Sequence, residues 1–187
     1  MPDFVRTVPE GDNRERLTCP SCGHIDYENP KIVTGSVVAW QSQILLCRRA
    51  IAPRIGFWTL PAGYMELGET VADAAMREAL EEAEADIVLD GILAVYNISR
   101  LSQVQVIFRA RFADPAHPRF APGAESTDVR LFAWNDIPWD NIAFPSVRWS
   151  LQAWHDTADR PLGAPAGNPD EDPRGIHRLP ATSGALP

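Results

Sequence analysis

Apolar residues dominate from Ile32 to Trp40 and again over 43–47, with the polar pair Gln41-Ser42 between them. Short β-branched and aromatic runs bounded by turn residues predict strands, here two joined by a tight turn. Residues 57–60 form a further short strand that Pro61 stops, because proline cannot donate to a ladder. Residues 87–98, 103–112 and 129–134 are strands of the same kind. Residues 70–84 are rich in Ala, Met, Leu and Glu and contain neither Gly nor Pro, which predicts a helix. Thr70 stands as its N-cap, with Asp73 three residues on in a capping-box position. A second helix is predicted over 147–156, and Pro115, Pro118 and Pro122 mark a long loop ahead of Glu125. Strands mixed with two helices indicate an α+β fold or a small αβα sandwich.

This periodic signal occupies 31–158, the expected main domain. Residues 1–30 lack long apolar runs and carry Cys19-Pro-Ser-Cys22-Gly-His24. Residues 159–187 hold six prolines and four glycines, too little apolar surface to repay ordering, so this tail is expected to be mostly disordered. At 187 residues the chain can bury one substantial core beside an appendage. A net charge of -8 argues against a nucleic-acid binder that neutralises phosphates with a basic face. It leaves anionic small molecules open, provided cations stand between substrate and carboxylates. No apolar run approaches the roughly 18 residues that span a membrane, and residues 1–12 lack the apolar stretch of a secretory signal. A cytoplasmic, membrane-free location is expected. Three cysteines are too few for a disulfide framework, and Cys47, among Ile44, Leu45 and Leu46, is expected in the core.

Within the predicted helix, Glu78, Glu81 and Glu82 fall at i, i+3 and i+4, a spacing that sets three carboxylates on one face. Ala72, Ala75, Met76, Ala79 and Ala83 are expected on the other, core-facing side. Carboxylates so close repel each other, and a hard divalent cation relieves that repulsion. Arg77 precedes Glu81 by four residues and can reach back to Glu69. An acidic helix alone is more often a solvated face, and the residues upstream decide otherwise.

Gly63, Glu69, Arg77-Glu78 and Glu81-Glu82 stand in the register of the Nudix box, and this stretch resembles that family's signature at six of its seven fixed positions. The departure is Glu84, where the box has its last glycine, and the aliphatic positions are the small residues Ala79 and Ala85. The resemblance implies a Nudix αβα sandwich with a mixed sheet. It implies Mg²⁺ or Mn²⁺ held by Glu78, Glu81, Glu82 and the Gly63 carbonyl, with Glu69 and Arg77 as support for loop and helix. Among the catalytic groups it implies are Glu78, Glu82 and Arg77, and Glu125 in the loop Phe120-Ala-Pro-Gly-Ala-Glu125 is the candidate fourth ligand or general base.

Tyr27-Glu-Asn-Pro-Lys31, the run from Leu45 to Pro53, and Ile137-Pro-Trp-Asp-Asn-Ile-Ala-Phe144 extend the resemblance to a branch of bacterial zinc-ribbon Nudix proteins and the plant chloroplast FAD pyrophosphatase. That branch is associated with FAD and ADP-ribose hydrolysis. It implies cleavage of a diphosphate link to AMP and a second phosphate ester. The region 97–101 lacks the proline frequent in ADP-ribose-specific members, which leaves FAD and other dinucleotides open. Arg100 is a candidate phosphate contact, and Tyr96, Trp139 and Phe144 are candidate stacking partners for a base or flavin. The branch usually opens with two Cys-x-x-Cys pairs that bind zinc. This chain has one pair, Cys19 and Cys22, with His24 as a third candidate, so residues 1–30 read as a zinc-ribbon-like remnant. Related enzymes often pair, so a homodimer is expected by analogy. The competing reading is a non-catalytic Nudix-like nucleotide sensor.

Overall fold

The computed structural model describes residues 3–170. The chain separates into two compact units, Met1–Pro30 and Lys31–Pro187. In the first, β1 (Val5–Thr7), β2 (Arg16–Thr18) and β3 (Ile25–Asp26) form a small antiparallel sheet in that order. Its ties are local: Arg16 pairs with Asp12 at 2.9 Å and lies over the Tyr27 ring, 5.3 Å from its centroid.

The second unit contains, among its described residues, β4 (Lys31–Trp40), β5 (Gln43–Arg49), β6 (Trp58–Thr59), β7 (Ala62–Tyr64), helix α1 (Val71–Ala83), β8 (Ile87–Ile98), β9 (Gln103–Phe112), β10 (Ser126–Ala133) and helix α2 (Pro145–His155). The main path of its sheet runs β10-β5-β4-β9-β8, with β6 beside β5 and β7 beside β4. The β4–β9 pairing is parallel and the neighbouring pairings are antiparallel, which gives the mixed sheet that the family resemblance implies. β4 pairs with β5 only at Ala39 and Trp40, and its first half pairs with β7 instead. That split carries the turn after Pro61 back across the sheet and delivers Gly63 to the foot of α1.

Alternation along the strands builds two cores. Val37, Ile44 and Leu46 face one way, together with Tyr96 and with Val147, Leu151 and Trp154 of α2. Val38, Leu45 and Cys47 face the other way, beneath Ala79 and Ala83 of α1. A one-residue change of direction per strand position is the pleat's own period.

Helix α1 begins as its sequence predicts. Thr70 accepts from the Asp73 amide, and the Asp73 carboxylate accepts in return from the Thr70 amide, completing the capping box. Its exit is a left-handed residue, Glu84 at φ 47°, with the Glu84 and Ala85 amides donating to Leu80 and Ala79. So Glu84 adopts the backbone that the box's glycine would supply, at a cost of about 1 kcal/mol to a residue with a Cβ.

Strand β6 ends before Pro61, as expected, and the short strand β7, which was not expected, follows with a different partner. One expectation changes. The tail expected to be disordered from Asp159 is partly built. Ala166 bridges to Ala94 in parallel, its amide donates to the Leu93 carbonyl, and it accepts from the Val95 amide. Asn168 hydrogen-bonds the Asn97 backbone from both ends of its amide group, and Arg109 donates to the Thr157 and Arg160 carbonyls. The exposed edge of β8 offers backbone partners that composition cannot reveal. Residues 171–187 of that tail lie outside the described residues.

Candidate active site

The site grows from the contact between α1 and the β7 turn. Gly63 is required by proximity: a Cβ there would fall within the Glu78 carboxylate, 2.6 Å from its Cδ. Beside it, the Ala62 amide donates to Glu82 Oε2 at 3.0 Å. Glu78 and Glu82 are 9% and 5% exposed, and they lie on the sheet-facing side with Ala75 and Ala79. This corrects the helix reading. Met76 is exposed, and two of the three carboxylates share the alanine side instead of opposing it. Alanine makes this geometry available, because its small side chain lets the helix backbone approach the sheet and leaves room for the glutamates.

Arg77 organises the carboxylates. Its Nε and Nη2 grip Glu69 at 2.6 and 3.1 Å, its Nη1 donates to both Glu78 and Glu81 at 2.8 Å, and its Nη2 also reaches the Tyr64 carbonyl at 3.0 Å. The fork of the guanidinium suits such multiple acceptance. The pairing holds the Glu69 carboxyl below its usual range and the Arg77 cation above its own. Burial raises the Glu78 carboxyl despite Arg77, and burial pushes Glu82 up to about 7 despite the Ala62 amide.

The long loop before β10 completes the cluster. The Ala121 and Gly123 amides donate to the Ala83 and Glu82 carbonyls, and a Cβ at Gly123 would overlap the Glu81 carbonyl oxygen. The Glu125 carbonyl accepts from the Ala50 amide at 2.8 Å. Glu125 thereby comes within electrostatic reach of both Glu78 and Glu82 and raises the carboxyls of both. Arg49, at the end of β5, draws the Glu82 carboxyl in the opposite direction and stands over the Phe144 ring, 5.3 Å from its centroid. Sequence reading assigned Arg49 no role. Its signal was the second of two arginines after the apolar run of β5, and only the fold sets it within electrostatic reach of Glu82.

The cluster therefore holds five carboxylates, Glu69, Glu78, Glu81, Glu82 and Glu125, and two cations, Arg77 beside Glu69, Glu78 and Glu81, and Arg49 within electrostatic reach of Glu82. Covered carboxylates with insufficient countercharge are a donor set that a hard divalent ion fits. Among the described residues, no three acidic, His or Cys side chains already converge as a metal-ligand cage. Glu81 is turned towards Arg77 instead.

The candidate substrate contacts divide. Phe144 stands by Arg49. Tyr96 is 1% exposed in the α2 core, where burial lifts its phenol to about 12 and Trp149 meets it edge-on, so it packs in that core at the wall of the cavity that Trp139 also lines. A tyrosine in a strand reads identically in either role. Trp139 lines a cavity of about 650 Å³ beside α2 with Trp134 and Trp149, on the α2 side of the sheet. Arg100 is exposed on the 3-10 turn Ser99–Leu101. In the N-terminal unit Cys19 and Cys22 form one knuckle, half of a four-ligand zinc set.

A family model described as NUDIX domain matches residues 30–150, and one described as Nudix N-terminal, a zinc-ribbon model, matches 3–28. The crystal structure of a NUDIX hydrolase from Nitrosomonas europaea is 41% identical and superposes with a TM-score of 0.82, covering 89% of this chain and 94% of that one. An ADP-ribose pyrophosphatase of Methanocaldococcus jannaschii is 28% identical over 113 residues, 60% of this chain and 67% of the relative. A human 8-oxo-dGDP phosphatase is 36% identical over 80 residues, 43% of this chain and 24% of the relative. This chain thus spans two thirds of the archaeal relative and about a quarter of the human one.

Proposed function

This chain belongs to the Nudix family and is a Nudix pyrophosphohydrolase, and on that premise we propose that it is a Mg²⁺-dependent enzyme that cuts the diphosphate link of a dinucleotide or nucleotide sugar such as FAD or ADP-ribose. The products are AMP and a second phosphate ester. The observation that carries the reading is the pair of covered carboxylates, Glu78 and Glu82, held against the Ala62-Gly63 turn, with the one adjacent guanidinium, Arg77, shared among Glu69, Glu78 and Glu81.

Glu78, Glu81 and Glu82, with the Gly63 carbonyl, would hold the divalent ion. When bound, such an ion neutralises diphosphate charge and lowers the pKa of a water. Arg77 holds Glu69, Glu78 and Glu81 near one another, and Glu81 would turn from it to join the ion. Glu69 holds the other end of that guanidinium and ties the loop to the helix. Glu125 reaches the cluster from a separate loop and would accept a proton from the attacking water. Arg49 offers a cation on the Phe144 side, where a phosphate oxygen can be received and an aromatic ring stacked. Substrate as a small nucleotide, a homodimer and a cytoplasmic location complete the proposal. No helix among the described residues is long and apolar enough to cross a membrane.

The test is incubation with Mg²⁺ and FAD, ADP-ribose, NADH or nucleoside triphosphates, with chromatographic separation of products and Glu82→Gln as control. AMP with FMN from FAD, or AMP with ribose phosphate from ADP-ribose, formed only by the wild type, is the expected result. Equal product from Glu82→Gln would remove the carboxylate assignment. Cleavage of triphosphates alone would remove the substrate class.

A further inference from the structure

The N-terminal unit matches a zinc-ribbon model, yet the knuckle contains only two sulfurs. A closed structural zinc site takes four ligands. Strand β1 pairs with β2, Val5 lying opposite Thr18 next to Cys19, and neither Val5 nor Phe4 carries a ligating side chain. The His24 ring meets Phe4 edge-on, with centroids 6.3 Å apart. Among the described residues, no three Cys, His, Asp or Glu side chains gather into a ligand set. The unit is tied instead by the Arg16–Asp12 pair, the Arg16–Tyr27 contact and the Thr7–Thr18 hydroxyl bond at 3.1 Å. The donor set does not fit zinc.

What the knuckle does build is a close pair of thiols. The Gly23 amide donates to the Cys19 carbonyl and the Cys19 amide to the His24 carbonyl, each at 2.8 Å, and Gly23 takes the positive φ of 75° that the turn requires. The Ser21 hydroxyl lies 3.0 Å from Cys19 Sγ, and the Ser21 and Cys22 amides and the Cys22 thiol are within hydrogen-bonding reach of the same sulfur. Cys19 is 3% exposed and Cys22 is open to solvent. We propose that Cys19 and Cys22 form a reversible dithiol–disulfide site, oxidised by a low-molecular-weight disulfide, instead of half a zinc centre.

The step balances. The exposed Cys22 thiolate attacks one sulfur of the oxidant, whose S–S bond breaks, and the first small thiolate leaves and takes up a proton. The Cys19 thiolate then attacks Cys22 Sγ in the mixed disulfide, and the second small thiolate leaves and is protonated. The protein loses two thiol hydrogens and two electrons, and the disulfide becomes two thiols. The Ser21 hydroxyl, 3.0 Å from Cys19 Sγ, is in reach to stabilise the thiolate that makes the resolving attack. Cys47 takes no part, since burial raises its thiol and encloses it in the α1-side core.

The test uses the full chain as purified, with zinc content measured first, followed by mixtures of oxidised and reduced glutathione and mass mapping of the Cys19–Cys22 peptide. The expected result is less than stoichiometric zinc, and a peptide that loses two hydrogens, retains no glutathione and recovers with reductant. Cys19→Ser is expected to stop at a glutathione adduct on Cys22, with a mixed-disulfide lifetime longer by about tenfold or more. One zinc per chain with both thiols protected until chelation overturns the proposal, as does a wild type that accumulates the adduct without closing. The wild-type mapping decides by itself if the variant fails to fold. Hydrolase activity is not the readout, so failure of the substrate reading leaves this result unaffected.

Discussion

Helix α2 meets the sheet with Val147, Leu151 and Trp154, packed among Ile44, Leu46 and Tyr96. Helix α1 meets the opposite face with Ala75, Ala79 and Ala83, and between them sit Glu78 and Glu82. The first contact is made of large side chains, each contributing about 1.5–3 kcal/mol when fully buried. The second uses small ones, brings the backbone close to the β7 turn, and covers two carboxylates that a stability-driven helix would expose. One face therefore holds the fold together, and the other spends part of that stability on a charged pocket.

The sharpest break of this comparison is at the carboxylates. Glu78→Gln and Glu82→Gln are each expected to lower kcat/KM by about 10²-fold or more while the protein stays folded. Steady-state kinetics beside circular dichroism checks both halves, and a variant that keeps near-wild-type turnover would sink the assignment of that residue. On the other face, Leu151→Ala is expected to lower unfolding free energy by about 2–5 kcal/mol, with turnover per folded molecule nearly unchanged. Urea unfolding and active-site titration test it. Equal damage to activity would show that the two faces are not separable.

The pH dependence sharpens the contrast further. The Glu82 carboxyl has a folded value of about 7 against an ordinary 4.5. A raised carboxyl contributes stability that is complete below 4.5 and is lost as pH rises through 7, because only the neutral form tolerates the burial. Metal-free wild type is therefore expected to lose about 1–3 kcal/mol over that window relative to Glu82→Gln. Thermal melts in chelator across the window measure it, and parallel curves for the two proteins would refute it. Added Mg²⁺ should flatten the wild-type slope. The smallest effect lies at the helix exit: Glu84→Gly is expected to stabilise by about 1 kcal/mol, since it removes a Cβ from a left-handed position. A lowered melting temperature would show that the Glu84 side chain holds something that the backbone argument leaves out.

Local patterns proved legible where the physics is local. The capping box at Thr70 and Asp73, the strands β8 and β9, and the Gln41-Ser42 turn follow from neighbours in sequence, and the structure has them. The register of Gly63, Glu69, Arg77, Glu78, Glu81 and Glu82 gave the family. Helix faces were read less well. A period of 3.6 says which residues share a side, but not which side meets the sheet when its members are both small and charged, so Met76 and the glutamates exchanged places. Tyr96 and Arg49 show the same limit, since a strand sequence does not state which neighbour its side chains will find.

The sequence by itself determined most elements of the main domain, the chemical family and the stock of carboxylates, all of which depend on residues a few positions apart. Only the tertiary structure decided that β4 divides between β5 and β7, that Gly63 lies under Glu78, that the Glu125 loop caps the end of α1, and that the chain around Ala166 joins the β8 edge. Apart from the β4–β5 pairing, these contacts join segments distant in sequence, and such closures are chosen by the total burial and hydrogen bonding of the whole fold, which no local pattern records.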